Sequence, residues 1–265
     1  MRFTFSTLAY PHLKIDEVLE RAKKFGLDGV ELRVADDGIH LKPHYPIGKE
    51  YVDTIRSSGV KIVSIAGYAR FSSVSDEERK RNEELLKTLT LMAEQLEAKV
   101  IRVFAGRFED DSESSIKRIS KSLNKFADYA EKHGIYIAIE THDELSRLEV
   151  LLRLLKELDP RIKILYDPAN MIMLGEKHET VFPYISNRIV HVHMKDFVIV
   201  EGKRVFVRPG KGIVPICKIV RDLDAANYQG YISVEWEKMW HPQLEDPDII
   251  IPLYIDYMKM CLITS

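Results

Sequence analysis

The chain has 265 residues, of which 45% are hydrophobic and 30% charged, as in a soluble globular protein with a sizeable core. Its formal net charge of −2 gives no bulk attraction to nucleic acid or to an anionic membrane surface. No apolar run approaches the roughly 18 residues of a membrane span, and the N-terminus lacks the pattern of a signal peptide. We therefore expect a cytoplasmic protein without nucleic-acid or membrane partners, in which Cys217 and Cys261 are buried reduced thiols.

A short β-branched or aromatic run followed by a stretch with helical spacing repeats about eight times along the chain. This alternation predicts βαβ units and a parallel sheet, and about 250 residues is a typical length for a (β/α)₈ barrel. We therefore expect residues 1–265 to form one TIM barrel of the α/β class. Strands are predicted at residues 2–6, 29–33, 61–66, 100–104, 135–140, 162–166, 189–194 and 230–235.

Amphipathic spacing predicts helices between most of these strands. Two of the predicted helices stop at a glycine, Gly26 or Gly134, which is a common helix terminator. The predicted helices are residues 15–25, 76–96, 112–133, 144–158, 179–185, 214–226 and 248–260. The two longest irregular stretches, 35–46 and 197–212, each follow a strand, so they are expected at the C-terminal face, where long loops tend to be functional.

Four adjacent strands end in a residue that is costly to bury without a partner. The fifth to eighth predicted strands supply Glu140, Asp167, His193 and Glu235 at similar heights. Each residue alone could be a helix cap, a salt-bridge partner or an ordinary hydrogen-bonded side chain. Three carboxylates cannot all stay ionised in one small pocket without a cation, so the set predicts one divalent metal ion, Mn²⁺, Co²⁺, Mg²⁺ or Zn²⁺.

Strand seven carries two histidines, and His193 is the expected ligand because it lies nearer the C-terminal end. His191 is expected to face the opposite side, where it would pack against a helix or pair with a helix residue. Further polar residues near strand ends are candidate substrate contacts, although each could instead be an ion-pair partner. These candidates are Glu31, Arg102, His142, Lys195 and Arg208.

Six segments, in this order along nearly the whole chain, resemble the sugar isomerase and epimerase superfamily with xylose-isomerase-like barrels. That superfamily includes ketose 3-epimerases, inosose dehydratases, hydroxypyruvate isomerases and apurinic endonucleases. The segments are Gly29-Val30-Glu31-Leu32, Ile139-Glu140-Thr141-His142, Asp167-Pro168-Ala169-Asn170, His191-Val192-His193-Met194-Lys195-Asp196, Gly210-Lys211-Gly212-Ile213-Val214-Pro215 and Gly230-Tyr231-Ile232-Ser233-Val234-Glu235.

The resemblance implies that Glu140, Asp167, His193 and Glu235 bind the metal, and that the two glutamates also act as acid and base. Asn170 stands where the family often has a substrate-contacting histidine, which makes it a further candidate substrate contact. A carbohydrate substrate and a homodimer or homotetramer are also implied.

The predicted activity is isomerisation or epimerisation of a sugar, sugar acid or sugar phosphate through an enediolate, with Glu140 and Glu235 moving the proton. A lyase of the inosose-dehydratase or dehydroshikimate-dehydratase type shares the first step and stays open. An apurinic endonuclease would need extra histidines for a three-zinc cluster, and Gly67-Tyr68 and Ala105-Gly106 stand where they are expected. A barrel that only binds sugar would not need the acid–base pair.

Overall fold

The computed structural model describes residues 1–263. Its strands are β1 (Arg2–Phe5), β2 (Gly29–Arg33), β3 (Lys61–Arg70), β4 (Val100–Phe104), β5 (Tyr136–Glu140), β6 (Lys163–Tyr166), β7 (Ile189–Met194), β8 (Asp196–Val200), β9 (Lys203–Val207) and β10 (Tyr231–Val234). Eight of them form one parallel sheet in the order β1-β10-β7-β6-β5-β4-β3-β2. A parallel bridge from Ser6 to Glu31 brings the two outer strands together. The predicted TIM barrel is confirmed.

The α-helices within the described residues pack around this ring of strands. They are α1 (Ile15–Lys24), α2 (Lys49–Ser58), α3 (Asp76–Gln95), α4 (Ser112–Asn124), α5 (Ala127–Lys132), α6 (Leu148–Glu157), α7 (Pro168–Met173), α8 (His178–Ile185), α9 (Ile216–Ala225) and α10 (Pro247–Ile263). Helix α1 is a typical amphipathic helix, because Val18, Leu19 and Ala22 form one buried apolar stripe. Over the described residues, no helix combines the length and apolar character that crossing a membrane requires.

Three helical regions differ from the prediction: α2 and α7 were not predicted, and one predicted helix is divided. The sequence pattern did not predict α2, because Val52 and Ile55 are the only buried residues of that helix and give a weak apolar stripe. The predicted helix at 112–133 is divided into α4 and α5. At the break, the Asn124 side chain donates a hydrogen bond to the Glu157 carbonyl and accepts one from the Asp159 N–H. Such bonds to the side chain compete with continuation of the helix.

The stretch 197–212, expected to be irregular, contains the antiparallel hairpin of β8 and β9. Glu201 and Gly202 form its two-residue turn, and both have positive φ, as tight hairpin turns require. The prediction missed the hairpin because Glu-Gly is a weaker turn signal than Asn-Gly or Asp-Gly. The hairpin nevertheless lies where expected, after β7 at the C-terminal face.

Asp196 fixes the segment that follows the hairpin. Its Oδ2 accepts hydrogen bonds from the backbone N–H groups of Gly210 and Gly212, both at 2.9 Å. Its Oδ1 accepts from the N–H groups of Val214 at 3.0 Å and Phe197 at 2.9 Å. A side chain on Gly212 would collide with the Asp196 carboxylate and the Phe197 carbonyl, so only glycine fits. Two of the family-like segments are therefore joined by one buried carboxylate.

The two cysteines form a disulfide, so the prediction of two reduced thiols is wrong. Cys217 lies on α9 and Cys261 on α10, with Cα atoms 4.8 Å apart and 44 residues between them in sequence. Their distance in sequence gave no sign of this pairing, which depends on the packing of α9 against α10.

Reduction of this disulfide is expected to lower the free energy of unfolding by about 2–4 kcal/mol, because the bond restricts the unfolded chain across a loop of moderate length. Urea unfolding with and without dithiothreitol measures the difference. A Cys217→Ser, Cys261→Ser variant is the control and should unfold alike under both conditions. Identical curves for the oxidised and reduced wild type would contradict a stabilising role.

Candidate metal centre

The C-terminal ends of β5, β6, β7 and β10 bring Glu140, Asp167, His193 and Glu235 together. All four residues are buried, and each offers an oxygen or nitrogen atom within 4.8 Å of the others. Two ligands that each lie about 2.1 Å from a shared ion are at most about 4.2 Å apart. A small inward movement of the four side chains would therefore bring them within bonding distance of one ion. The parallel strands thus place four potential ligands around one point.

His193 is held in an orientation that suits a metal ligand. Its Nε2 lies 3.0 Å from both carboxylate oxygens of Glu31. Its Nδ1 faces Glu235 at 3.1 Å and Glu140 at 3.8 Å, yet this buried nitrogen makes no well-aligned hydrogen bond. A carboxylate that accepts from one ring nitrogen and frees the other for a metal is the usual support for a ligating histidine.

His191 does not pack against a helix, so that prediction is wrong. Residues two apart in a strand point to the same face, and His191 therefore shares the barrel interior with His193. Its Nε2 lies 2.8 Å from Oε2 of Glu31. The carboxylate of Glu31 thus sits between two histidines across the barrel from β7.

Lys195 occupies the other side of the cluster. Its Nζ lies 2.7 Å from Oδ2 of Asp167 and 2.9 Å from Oε1 of Glu237, and it also contacts Oε2 of Glu235. On the opposite side, Nη1 of Arg102 lies 3.2 Å from Oε2 of Glu140. Glu237 was not among the predicted site residues, because it lies beyond the strand end that drew attention to Glu235.

The charges around the centre do not cancel. Five carboxylates surround it, those of Glu31, Glu140, Asp167, Glu235 and Glu237. Three cationic side chains accompany them, those of Arg102, Lys195 and Arg204. With neutral histidines two negative charges remain, which a divalent cation would balance. The buried Nδ1 of His193 and this charge excess both fit a divalent metal ion.

The comparison with protein families agrees with this geometry. A family model described as xylose isomerase-like TIM barrel matches residues 19–251. The chain belongs to this family.

An inosose dehydratase from Geobacillus thermodenitrificans (strain NG80-2) is 32% identical to this xylose isomerase-like barrel over 148 residues, which cover 49% of this chain and 47% of the relative. The chain thus spans about half the length of the curated relatives it matches. A probable 3-DHS dehydratase from Bacillus anthracis has a similar structure, with a TM-score of 0.80, 21% identity and full coverage of both chains. D-psicose 3-epimerase from Clostridium cellulolyticum H10 has a TM-score of 0.79 and 14% identity, with 99% of each chain covered. These two structural likenesses show the fold.

In this xylose isomerase-like barrel, the ion pairs shift the pKa values of the centre. Burial disfavours the charged form of His193, but the carboxylates of Glu235 and Glu31 outweigh it and hold the pKa of His193 well above its ordinary value. Burial likewise opposes ionisation of Glu140, yet contacts with His193 and Arg102 lower its pKa. The surrounding carboxylates therefore favour the protonated form of His193 when no metal is bound.

Metal affinity is expected to rise with pH, because a metal at Nδ1 must displace the proton that the raised pKa of His193 retains. The apparent affinity for Mn²⁺ should increase by up to about tenfold per pH unit between pH 6 and 8. Titration of metal-stripped protein in matched buffers measures this slope. An affinity independent of pH would contradict metal binding through His193.

The other predicted contacts fall into two groups. Asn170 is buried beside the cluster, where its Nδ2 donates to Oδ2 of Asp167 at 3.0 Å and its Oδ1 accepts from Arg204 at 3.0 Å. Arg208, in contrast, is exposed and pairs with Glu245 at the surface. Arg204, from the unpredicted hairpin, is therefore the arginine that reaches the centre.

Aromatic and cationic side chains form a rim beside the cluster. His142 is half-exposed, and its ring packs against Phe104 with centroids 4.9 Å apart. Burial lowers the pKa of His142, but the close contact with the Asp143 carboxylate and the charge of Glu140 raise it more, so its net pKa is raised. Arg33, which was not predicted, donates to the Tyr68 hydroxyl at 2.8 Å. The rim thus places a histidine with a raised pKa beside the buried cluster.

Of the two tryptophans after β10, Trp236 is buried and Trp240 is half-exposed. The Arg33 guanidinium lies 5.4 Å from the centre of the Trp240 ring, so Trp240 belongs to the rim. Trp236 instead packs inside, where its Nε1 donates to the Glu245 carbonyl.

Proposed function

We propose that this protein is a divalent-metal-dependent enzyme that removes the proton next to the carbonyl of a polyhydroxylated ketone and then expels a β-hydroxyl as water. The observation that carries this proposal is the buried cluster of Glu140, Asp167, His193 and Glu235, whose potential ligand atoms lie within 4.8 Å of one another. The similarity to inosose dehydratases over half the chain supports dehydration as the outcome.

The four residues of the cluster would hold the ion, and Glu31 would orient His193 from behind. A divalent ion in such a site supplies Lewis-acid polarisation of the substrate carbonyl, which acidifies the neighbouring C–H. Which of Mn²⁺, Co²⁺, Mg²⁺ and Zn²⁺ is used is left to the assay, because oxygen ligands with one imidazole accept all of them.

The protein side chains would move the protons. Glu235 is the proposed base, because His193 and Lys195 lower its pKa and keep its carboxylate ionised and able to accept a proton. Glu140 is paired with Arg102, whose guanidinium stays protonated, and it would act mainly as a fixed anion. His142, with its raised pKa and half-exposed ring, would donate the proton that the leaving hydroxyl needs.

Isomerisation or epimerisation is the second candidate. It is favoured by the approach of Glu140 and Glu235 to one point from different strands. Epimerisation requires both glutamates to return a proton, whereas contacts with His193 lower the pKa of Glu140 and of Glu235, and the relatives matched over half the chain are dehydratases. We therefore place dehydration first.

The remaining alternatives gain less support. Within residues 1–263 the other potential metal-binding group is Glu31, His191 and His193, which shares His193 with the first cluster. This arrangement does not favour a three-zinc endonuclease. The cytoplasmic location and the homodimer or homotetramer stay predictions.

The test is a substrate screen with purified protein and each of the four metals. Inososes, 3-dehydroshikimate and common ketoses are incubated in D₂O, and products are followed by mass spectrometry and ultraviolet absorbance. We expect a product lighter by one water from a cyclic hydroxy ketone. A product of unchanged mass with deuterium at the epimerised carbon would identify an epimerase instead. Neither deuterium uptake nor product with any substrate would contradict the proton-abstraction proposal.

A further inference from the structure

A second cavity, of about 930 Å³, opens at the other end of the barrel, where the strands begin. The first residues of seven barrel strands contribute to its lining, namely Arg2, Lys61, Val100, Tyr136, Lys163, Ile189 and Tyr231. The candidate metal centre lies at the opposite, C-terminal ends of the strands.

This cavity carries an excess of positive charge. Its two acidic lining residues each lie near a basic side chain, Glu97 at 3.6 Å from Arg56 and Glu94 at 3.0 Å from His133. Four further lining residues are cationic and have no carboxylate within ion-pair distance among the described residues. They are Arg2, Lys61, Lys99 and Lys163.

The neighbours of these cations leave their charge uncompensated. The guanidinium of Arg2 lies 4.1 Å from the centre of the Tyr231 ring, and Nζ of Lys163 donates to the Pro160 carbonyl at 3.1 Å. The chain as a whole has a net charge of −2, whereas this opening carries four unpaired positive charges. Low-dielectric walls concentrate the field of such a group and attract anions.

The walls of the cavity are apolar and aromatic. Val63, Ile135 and Ile189 line it, and Tyr136 at its edge is 49% exposed. Ligand sites combine an apolar lining with a few polar groups, and a volume near the upper end of about 300–1,000 Å³ accommodates a molecule of nucleotide size. Buried His191 forms part of the floor.

We propose that this cavity binds a small phosphorylated molecule with a planar or apolar body, of which a nucleoside phosphate is representative. The phosphate group would lie among the unpaired cations, and the body would lie against the tyrosines and the aliphatic wall. The proposal does not depend on the reaction at the metal centre, because the two sites lie at opposite ends of the barrel.

Calorimetric titration of the metal-loaded protein with ADP and with inorganic pyrophosphate tests this site. The variant Lys61→Glu, Lys99→Glu, Lys163→Glu reverses three charges at the cavity. The matched control, Lys14→Glu, Lys80→Glu, Lys177→Glu, changes three exposed lysines near the N-terminal ends of α1, α3 and α8 by the same net charge. Thermal unfolding of each variant verifies that it folds.

We expect ADP to bind more tightly than pyrophosphate, and the cavity variant to lose at least about tenfold in affinity for both. The control should retain wild-type affinity within about twofold. Three outcomes would overturn the proposal: no binding by the wild type at millimolar ligand, equal weakening in the control, or loss of binding in Glu235→Gln with none in the cavity variant. Pyrophosphate binding as tight as that of ADP would overturn the proposed role of the apolar wall.

Discussion

Replacement of Glu235 by glutamine is expected to lower kcat/KM for the hydroxy-ketone substrate by at least about a thousandfold. The change removes a proposed general base, which alone contributes about 10²–10⁴-fold, together with one charge that would hold the metal. Glutamine keeps the shape of the side chain, so Lys195 can still bridge Asp167 and Glu237. Steady-state kinetics at saturating metal measure the loss.

The matched control is Glu245→Gln, which removes a carboxylate that pairs with exposed Arg208 at the surface. This variant should keep wild-type kcat/KM within about twofold, because its ion pair is solvent-screened. A Glu235→Gln enzyme with nearly full activity would contradict both the proposed base and the proposed ligand role of Glu235.

Replacement of Lys195 by methionine is expected to destabilise the metal-free protein by about 3–5 kcal/mol. The buried ammonium contacts Asp167, Glu235 and Glu237, and its removal would leave these carboxylates without their nearest cation. A bound divalent ion would supply that charge, so the destabilisation should shrink when metal is present. Urea unfolding of metal-stripped and Mn²⁺-saturated protein measures both values.

Lys203→Met is the control for this experiment, because Lys203 is exposed on the hairpin and has no ion pair within the described residues. Its effect should be within about 0.5 kcal/mol in either state. Equal destabilisation of Lys195→Met with and without metal would show that the ion does not replace the lysine charge.

The barrel could be predicted from the sequence because its strands are buried on both faces and read as continuous apolar runs. The predicted bounds of β2, β4 and β7 match the structure at both ends. The prediction failed where local patterns are weak, as in α2, or where a rarer turn sequence joins two strands, as at Glu201-Gly202. In these places packing against the barrel decides the conformation.

The positions of Glu140, Asp167, His193 and Glu235 could be predicted because each residue follows an apolar strand, and strand ends converge in a barrel. The contacts that support these four residues could not be predicted from the sequence. Glu31 meets His193 only because β2 and β7 face each other across the barrel, 162 residues apart in sequence. Likewise, the cation beside Asn170 comes from Arg204, whose position depends on the hairpin.

Elemental analysis of the dialysed protein tests the metal centre most directly. The wild type, after exposure to Mn²⁺, Co²⁺, Mg²⁺ and Zn²⁺ in turn, should retain about one divalent ion per chain. A His193→Ala, Glu235→Gln variant that remains folded by circular dichroism should retain none, whereas Glu245→Gln should retain as much as the wild type. A wild type that takes up no metal, or a double variant that keeps it, would contradict the centre formed by Glu140, Asp167, His193 and Glu235.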